Sequence, residues 1–126
     1  MEYIFIYVLG AGLYCRIEIL YRGQTHWSMF IVGGVCFLMM YLLSEAALPL
    51  WAKWLGSAAF ISSVELFSGI ILNIVLRLNV WDYSDQKLNI LGQVCPLYSF
   101  FWLLLSVLGI ALCAFIRPLL QRLLRA

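Results

Sequence analysis

The sequence predicts an all-α, polytopic membrane protein in which four transmembrane helices form a compact bundle, on three observations. Of the 126 residues, 65% are hydrophobic and only 11% are charged. A soluble domain is typically about 45–50% apolar and about 25% charged, and a short chain has too small a core to bury such an excess. The apolar residues also gather into four runs, and each run has the roughly 20 residues that a membrane-spanning helix needs.

The predicted spans belong to one transmembrane domain, residues 1–126. They cover residues 3–21, 28–50, 55–76 and 96–116. The connection 77–95 is the longest and most polar, and we expect an interfacial or re-entrant loop there, before the last helix. Irregular backbone is tolerated at membrane depth where protein or a water-filled cavity covers it. The basic, amphipathic tail 117–125 is typical of a segment that lies at the membrane surface.

The positive charges indicate an orientation. With four spans both termini face one side, and Lys and Arg divide equally between the two sides. Cytoplasmic termini are favoured because Arg16 lies within a helix and the basic residues of the tail are clustered. We expect a multi-pass protein of the cell membrane whose partners are the lipid bilayer, further copies in a homo-oligomer and other membrane subunits. A net charge of +2 without a basic tract argues against nucleic acid.

The four cysteines are isolated in the sequence. No CxxC spacing occurs among Cys15, Cys36, Cys95 and Cys113. We expect small buried hydrophobic side chains at these positions, and neither disulfides nor metal ligands. No cofactor is predicted.

The third span carries a carboxylate, Glu65, near its middle. Glu65, Gly69 and Asn73 follow one another at four-residue spacing, so they share one helical face, and Ser62 lies on it too. A charge at the bilayer centre costs about 2.5–3.5 kcal/mol on insertion scales. We therefore predict a ligand or ion site, with Glu65 as the embedded charge and Asn73 as a polar ligand. The alternative is structural: Asn73 bonds across helices and Glu65 stays protonated.

The C-terminal end of the first span and the start of the second supply further candidates. Glu18 and Arg22 have the i,i+4 spacing of a helical ion pair. Arg16 either extends to the interface or turns into the bundle as a counter-charge. Thr25 is the predicted N-cap of the second helix, which leaves His26 at the mouth of a pocket or bonded to headgroups and water.

The long connection is expected to fold back over the bundle. Trp81 and Tyr83 are suited to anchoring it, which leaves Asp82 to pair with Arg77 or Arg16. The complete set of predicted ligand-binding residues is Glu65, Asn73, Arg16, Glu18, His26, Arg77, Trp81, Asp82, Asn89 and Gln93.

Several of these motifs together resemble a known family. They are Thr25-His26-Trp27-Ser28-Met29 with Gly33-Gly34, Glu65-x-x-x-Gly69-x-x-x-Asn73, Trp81-Asp82-Tyr83-Ser84, and Asn89-x-x-Gly92-Gln93 leading to Trp102. The combination resembles the small bacterial membrane proteins labelled putative ABC-transporter type IV permeases. The resemblance implies transport in a bacterial cell membrane. The sequence argues against a complete ABC transporter, because it has no Walker A motif and four helices are few for a permease half.

Three classes of function follow. The leading one is binding or translocation of a small polar or charged solute through a polar intramembrane pocket that opens toward the long loop. The second is a non-transporting partner subunit or scaffold, whose polar face is an assembly interface. An intramembrane lipid-modifying enzyme that uses His26, Glu65 or Asp82 ranks last, because no nucleophile–base or HExxH spacing is present.

Overall fold

The computed structural model describes residues 1–125, and their fold confirms the predicted all-α architecture. The helices are α1 (Glu2–Arg22), α2 (Trp27–Glu45), α3 (Leu50–Gly69) and α4 (Pro96–Arg125), with a π-helical segment, Ile70–Val75, that continues α3. All four are long and apolar enough to cross a membrane. Within the described range the extended structure is limited to one isolated bridge between residues 90 and 94.

The turn between α2 and α3 lies five residues earlier than predicted. α2 ends at Glu45 and α3 begins at Leu50, with Pro49 as its N-cap. Proline disfavours helical backbone in the residue before it, while its own fixed φ suits the start of a helix. The prediction that the second span runs to residue 50 is therefore wrong, because an apolar run continues through a proline turn that hydropathy does not register.

The last helix is longer than its apolar run. α4 has 30 residues and continues through Pro118 to Arg125. At about 1.5 Å per residue it is about 45 Å long, against about 30 Å for a bilayer core. The basic tail is thus the final part of a continuous helix rather than a separate segment.

Glycines set how closely α1 and α2 pack. A Cβ added to Gly33 would lie 2.6 Å from Tyr14 Cβ, and one added to Gly34 would lie 2.6 Å from the Tyr7 ring. Such contacts are shorter than real Cβ atoms tolerate, so only glycine permits this approach. The main core forms where α2 faces α3 and α4, around Phe37, Tyr41 and Ile110 among others. In contrast, α1 and α4 make few contacts with each other, and a groove separates them.

Candidate functional site

The long connection packs against the end of α3, where the backbone is π-helical. Asn73 lies in this segment; its side-chain oxygen accepts a hydrogen bond from Val80 N at 2.7 Å, and its Nδ2 donates to Gln93 Oε1 at 2.8 Å. Trp81 is buried beside them and donates from Nε1 to Gln93 O at 3.0 Å. The amide of Asn73 thus holds both ends of the loop on the helix.

Gly69 allows this close packing. A Cβ at Gly69 would lie 2.9 Å from Trp81 Cζ2 and would also overlap Gln93. The polar helical face identified in the sequence is therefore covered by the loop at Gly69 and Asn73. Of the residues on this face, Glu65 alone lines the groove between α1 and α4.

Glu65 is buried, with 8% of its surface exposed, and two aromatic side chains hold it. Its Oε2 accepts a hydrogen bond from Tyr83 Oη at 3.1 Å, and its Oε1 accepts one from Trp102 Nε1 at 3.3 Å. Both donors are neutral, and no Lys, Arg or His of residues 1–125 forms an ion pair with Glu65. We call Glu65, Tyr83 and Trp102 the Glu65 cluster.

Tyr83 connects this cluster to the mouth of the groove. Its ring stacks on Tyr98 with centroids 4.5 Å apart, and the Tyr98 hydroxyl lies 3.4 Å from that of Tyr21 on α1. Burial, together with the nearby Glu65 carboxyl, raises the pKa of the Tyr83 phenol above its usual value. The phenol therefore keeps its proton and acts as a donor to Glu65.

The groove has a volume of about 830 Å³ and is bounded by all four helices and the loop. Its walls are mainly apolar, and its aromatic residues are Tyr14, Tyr21, Phe37, Trp81, Tyr83, Tyr98, Phe101 and Trp102. Its charged residues are Glu18, Arg22, Glu65 and Asp82. Whereas the sequence predicts a polar pocket, the structure has an amphipathic groove whose polar groups gather toward the loop.

Glu18 is the second buried carboxylate of the groove. The predicted pair with Arg22 is present, with Nη1 to Oε2 at 3.6 Å, and Arg22 Nη2 also donates to Val80 O at 2.6 Å. The other oxygen, Glu18 Oε1, is buried and has no hydrogen-bond partner among residues 1–125. An acceptor in this state can bind a donor that enters the groove.

Other predicted residues have different surroundings. Arg16 and Arg77 are exposed and do not line the groove. The expected ion pair of Asp82 with either arginine is wrong. Asp82 Oδ1 instead accepts hydrogen bonds from Ser84 N, at 2.9 Å, and from Ser84 Oγ. These bonds lower the pKa of the Asp82 carboxyl and stabilise a local turn.

His26 and Asn89 also have local partners. His26, not Thr25 as predicted, is the N-cap of α2, and its Nδ1 accepts from Ser28 N at 3.2 Å. Asn89 donates to Gln86 O at 2.9 Å and accepts from Gly92 N at 2.9 Å, so it shapes the loop. Neither residue lines the groove.

Sequence reasoning missed Tyr14 and Trp102 as parts of the site. Tyr14 lies four residues before Glu18 on α1, and Trp102 lies four residues after Tyr98 on α4. The i,i+4 spacing of an aromatic residue with a polar one could have indicated a shared face in each helix. Which faces meet across the bundle depends on how the helices rotate, and no spacing within one helix reports that rotation.

A second polar cluster lies at the opposite end of the bundle, near the chain termini. Arg117 of α4 donates to Ser44 Oγ and, at 3.3 Å, to Tyr41 O. Its Nε lies 3.3 Å from Glu45 Oε1, and Tyr41 Oη donates to Glu2 Oε1. We call Glu2, Tyr41, Ser44, Glu45 and Arg117 the terminal cluster. It joins α1, α2 and α4 and lies outside the groove.

Comparison with known proteins gives one family match. No curated protein and no solved structure matches the chain. The family model described as "Putative ABC-transporter type IV" matches residues 3–126, which is nearly the whole sequence. A multi-pass helical fold with four helices able to span a membrane agrees with a family of transport-related membrane proteins. By this match the chain belongs to the putative ABC-transporter type IV family.

Proposed function

We propose that this membrane protein binds and translocates a small solute that carries a positive charge on an apolar body. The observation that supports the proposal most directly is Glu65, a buried carboxylate in the wall of an apolar groove. The groups that donate hydrogen bonds to this carboxylate, Tyr83 and Trp102, are both neutral. A charge in such a place is rare unless it has a partner or a role.

The charge of the groove favours a cation. Three carboxylates, those of Glu18, Glu65 and Asp82, face one guanidinium, that of Arg22. Arg22 pairs with Glu18, which leaves Glu65 without a counter-charge. The aromatic faces of Tyr83 and Trp102 are also attractive to a cation that comes within about 6 Å of their rings.

The shape of the groove favours a solute with an apolar body. Its volume of about 830 Å³ falls in the usual range for small-molecule sites, about 300–1,000 Å³, which are mostly apolar with a few placed polar groups. A small inorganic ion would lose its hydration and gain little from aliphatic walls such as Leu105 and Leu108. An organic cation would bury its body there and direct its charge at Glu65.

Binding of tetraphenylphosphonium, a permanent lipophilic cation, to the purified protein in detergent tests the proposal by calorimetry. We expect Glu65→Gln to weaken binding by about tenfold or more, equivalent to about 1.4 kcal/mol, and Glu65→Asp to retain part of the affinity. Asp85→Asn is the matched control, because Asp85 is an exposed carboxylate outside the groove and the substitution removes the same charge.

Tetraphenylborate provides a second control, because it has the same shape and the opposite charge. Equal binding of the two ions, or equal affinity of wild type and Glu65→Gln for the cation, would show that the groove recognises apolar bulk only. Either result contradicts the proposal.

A structural role for Glu65, in a partner subunit or scaffold, is the second candidate. It is favoured by a specific observation, that both carboxyl oxygens of Glu65 are already hydrogen-bonded, to Tyr83 and to Trp102. In that case Glu65→Gln and Tyr83→Phe should each lower thermal stability while neither affects cation binding. Transport predicts the reverse ranking for Glu65→Gln, with a large change in binding and a small one in stability.

Cytoplasmic termini are the second part of the proposal. A cysteine at Ser84, on a background without native cysteines, should react with a membrane-impermeant thiol reagent in intact cells. A cysteine at Gln121 should react only after the membrane is permeabilised. The opposite labelling pattern would reverse the orientation.

A further inference from the structure

We propose that Glu65 exchanges a proton for the bound cation, so that the solute and a proton occupy the site in turn. This inference rests on the proposed function and adds the proton as a second substrate of the same site. Atoms and charges balance: the carboxyl O–H bond of Glu65 breaks, the proton leaves to water, and the carboxylate remains paired with the cation.

When the groove is empty, none of its side chains provides a positive charge for Glu65. The titratable and charged groups that share the groove are Tyr14, Glu18, Tyr21 and Arg22 of α1, Cys36 of α2, Asp82 and Tyr83 of the loop, and Tyr98 of α4. Arg22 is the one cation among them, and it is engaged by Glu18 Oε2 and Val80 O. The phenols and the thiol carry no positive charge in any protonation state.

An ionised carboxylate in these surroundings needs a cation nearby, since removing a charge from water costs far more than two neutral hydrogen bonds return. A proton meets that need when the groove is empty, and an organic cation meets it when the groove is full. The two compete for the same oxygens, so binding of one releases the other.

The contacts of the cluster suit both states. A protonated carboxyl keeps acceptor capacity beside its own O–H, so Tyr83 and Trp102 can continue to donate to it. The loop that carries Tyr83 therefore does not have to open for the proton to leave. Glu18 differs, because Arg22 already compensates its charge, and we assign it to orienting the bound cation through its free oxygen.

Proton release measured in a weakly buffered detergent solution with a pH indicator tests the exchange. Addition of tetraphenylphosphonium chloride to wild type should release about one proton per bound cation. In the pH range where the empty site is protonated, the affinity for the cation should weaken by about tenfold for each unit by which the pH falls. Asp85→Asn, which changes an exposed carboxylate outside the groove, should match wild type.

The outcomes separate the exchange from the function on which it rests. If wild type binds the cation without proton release, and with the same affinity from pH 5 to 8, the exchange is overturned and cation binding is left intact. Proton release that persists in Glu65→Gln overturns the assignment to Glu65. Absence of cation binding in wild type overturns the proposed function and the exchange together.

Discussion

The Glu65 cluster and the terminal cluster are built from similar side chains at opposite ends of the same bundle. Each has a glutamate that accepts a hydrogen bond from a tyrosine, Glu65 from Tyr83 and Glu2 from Tyr41. Only the terminal cluster contains a cation, Arg117, and only the Glu65 cluster lines a groove. The terminal cluster has a guanidinium beside its carboxylates, and it joins three helices. The Glu65 cluster lacks a positive charge, and a groove beside it can admit one.

The largest expected effect on stability comes from removing the cation of the terminal cluster. Arg117→Gln loses hydrogen bonds to Ser44 Oγ and Tyr41 O, and hydrogen bonds from charged donors contribute about 1.5–3 kcal/mol each. We expect the free energy of unfolding in mixed micelles to fall by about 1.5–3 kcal/mol. Arg122→Gln, at an exposed position of the same helix, is the control. Equal stability of the two variants would mean that the terminal cluster does not hold the helices together.

The next largest effect on stability is expected at Gly69, where the loop packs closely on α3. Gly69→Ala places a methyl group against Trp81 and Gln93, and overpacking of this kind costs about 1–3 kcal/mol. Gly12→Ala is the matched control, because a Cβ there meets nothing within 4 Å, so helix propensity should make it neutral or slightly stabilising. Thermal unfolding followed by tryptophan fluorescence measures both. Similar midpoints would indicate that the loop does not pack on α3 as described.

A smaller effect is expected for the tyrosine of the Glu65 cluster. Tyr83→Phe keeps the stack on Tyr98 and removes one hydrogen bond to Glu65, a change of about 0.5–1.5 kcal/mol in the free energy of unfolding. Because Tyr83→Phe removes the same donor from Glu65 in the empty and in the cation-bound groove, cation binding should persist. The same sample can therefore be titrated with tetraphenylphosphonium. Complete loss of binding would make Tyr83 a direct ligand rather than a support for Glu65.

The smallest expected effect separates the structure from the sequence-based prediction for Asp82. Because Asp82 bonds Ser84 and not an arginine, Asp82→Asn should be additive with Arg16→Gln and with Arg77→Gln, within about 0.3–0.5 kcal/mol. A double-mutant cycle on unfolding in mixed micelles measures the difference. A larger coupling with either arginine would restore the ion pair that the sequence suggested.

Hydropathy and helical spacing were enough to predict the helices and the side of α3 that carries polar residues. The burial of Glu65 follows from its place in an apolar run, and the pair of Glu18 with Arg22 follows from spacing within one helix. These features are local, so a linear pattern contains them. The exact turn before α3 was missed, because the apolar character of Leu48 and Leu50 continues across Pro49.

Contacts between distant residues could not be predicted in the same way. Trp102 reaches Glu65 across 37 positions, and Gln121 reaches Glu2 across 119. The basic tail indicates a charge at the membrane surface for Arg117, whereas its side chain bonds to Ser44 of α2. Each of these contacts depends on the order and rotation of the helices, and the charges of a short basic tail give no information about either.

The π-helical segment at the end of α3 has a mechanical consequence. Rewinding Ile70–Val75 as α-helix would shift the register of its side chains, and one residue of shift turns a side chain by about 100°. Asn73 would then point away from Val80 and Gln93, the two residues through which it fastens the loop. A rotation of this segment by one residue would therefore release the loop that keeps Tyr83 on Glu65.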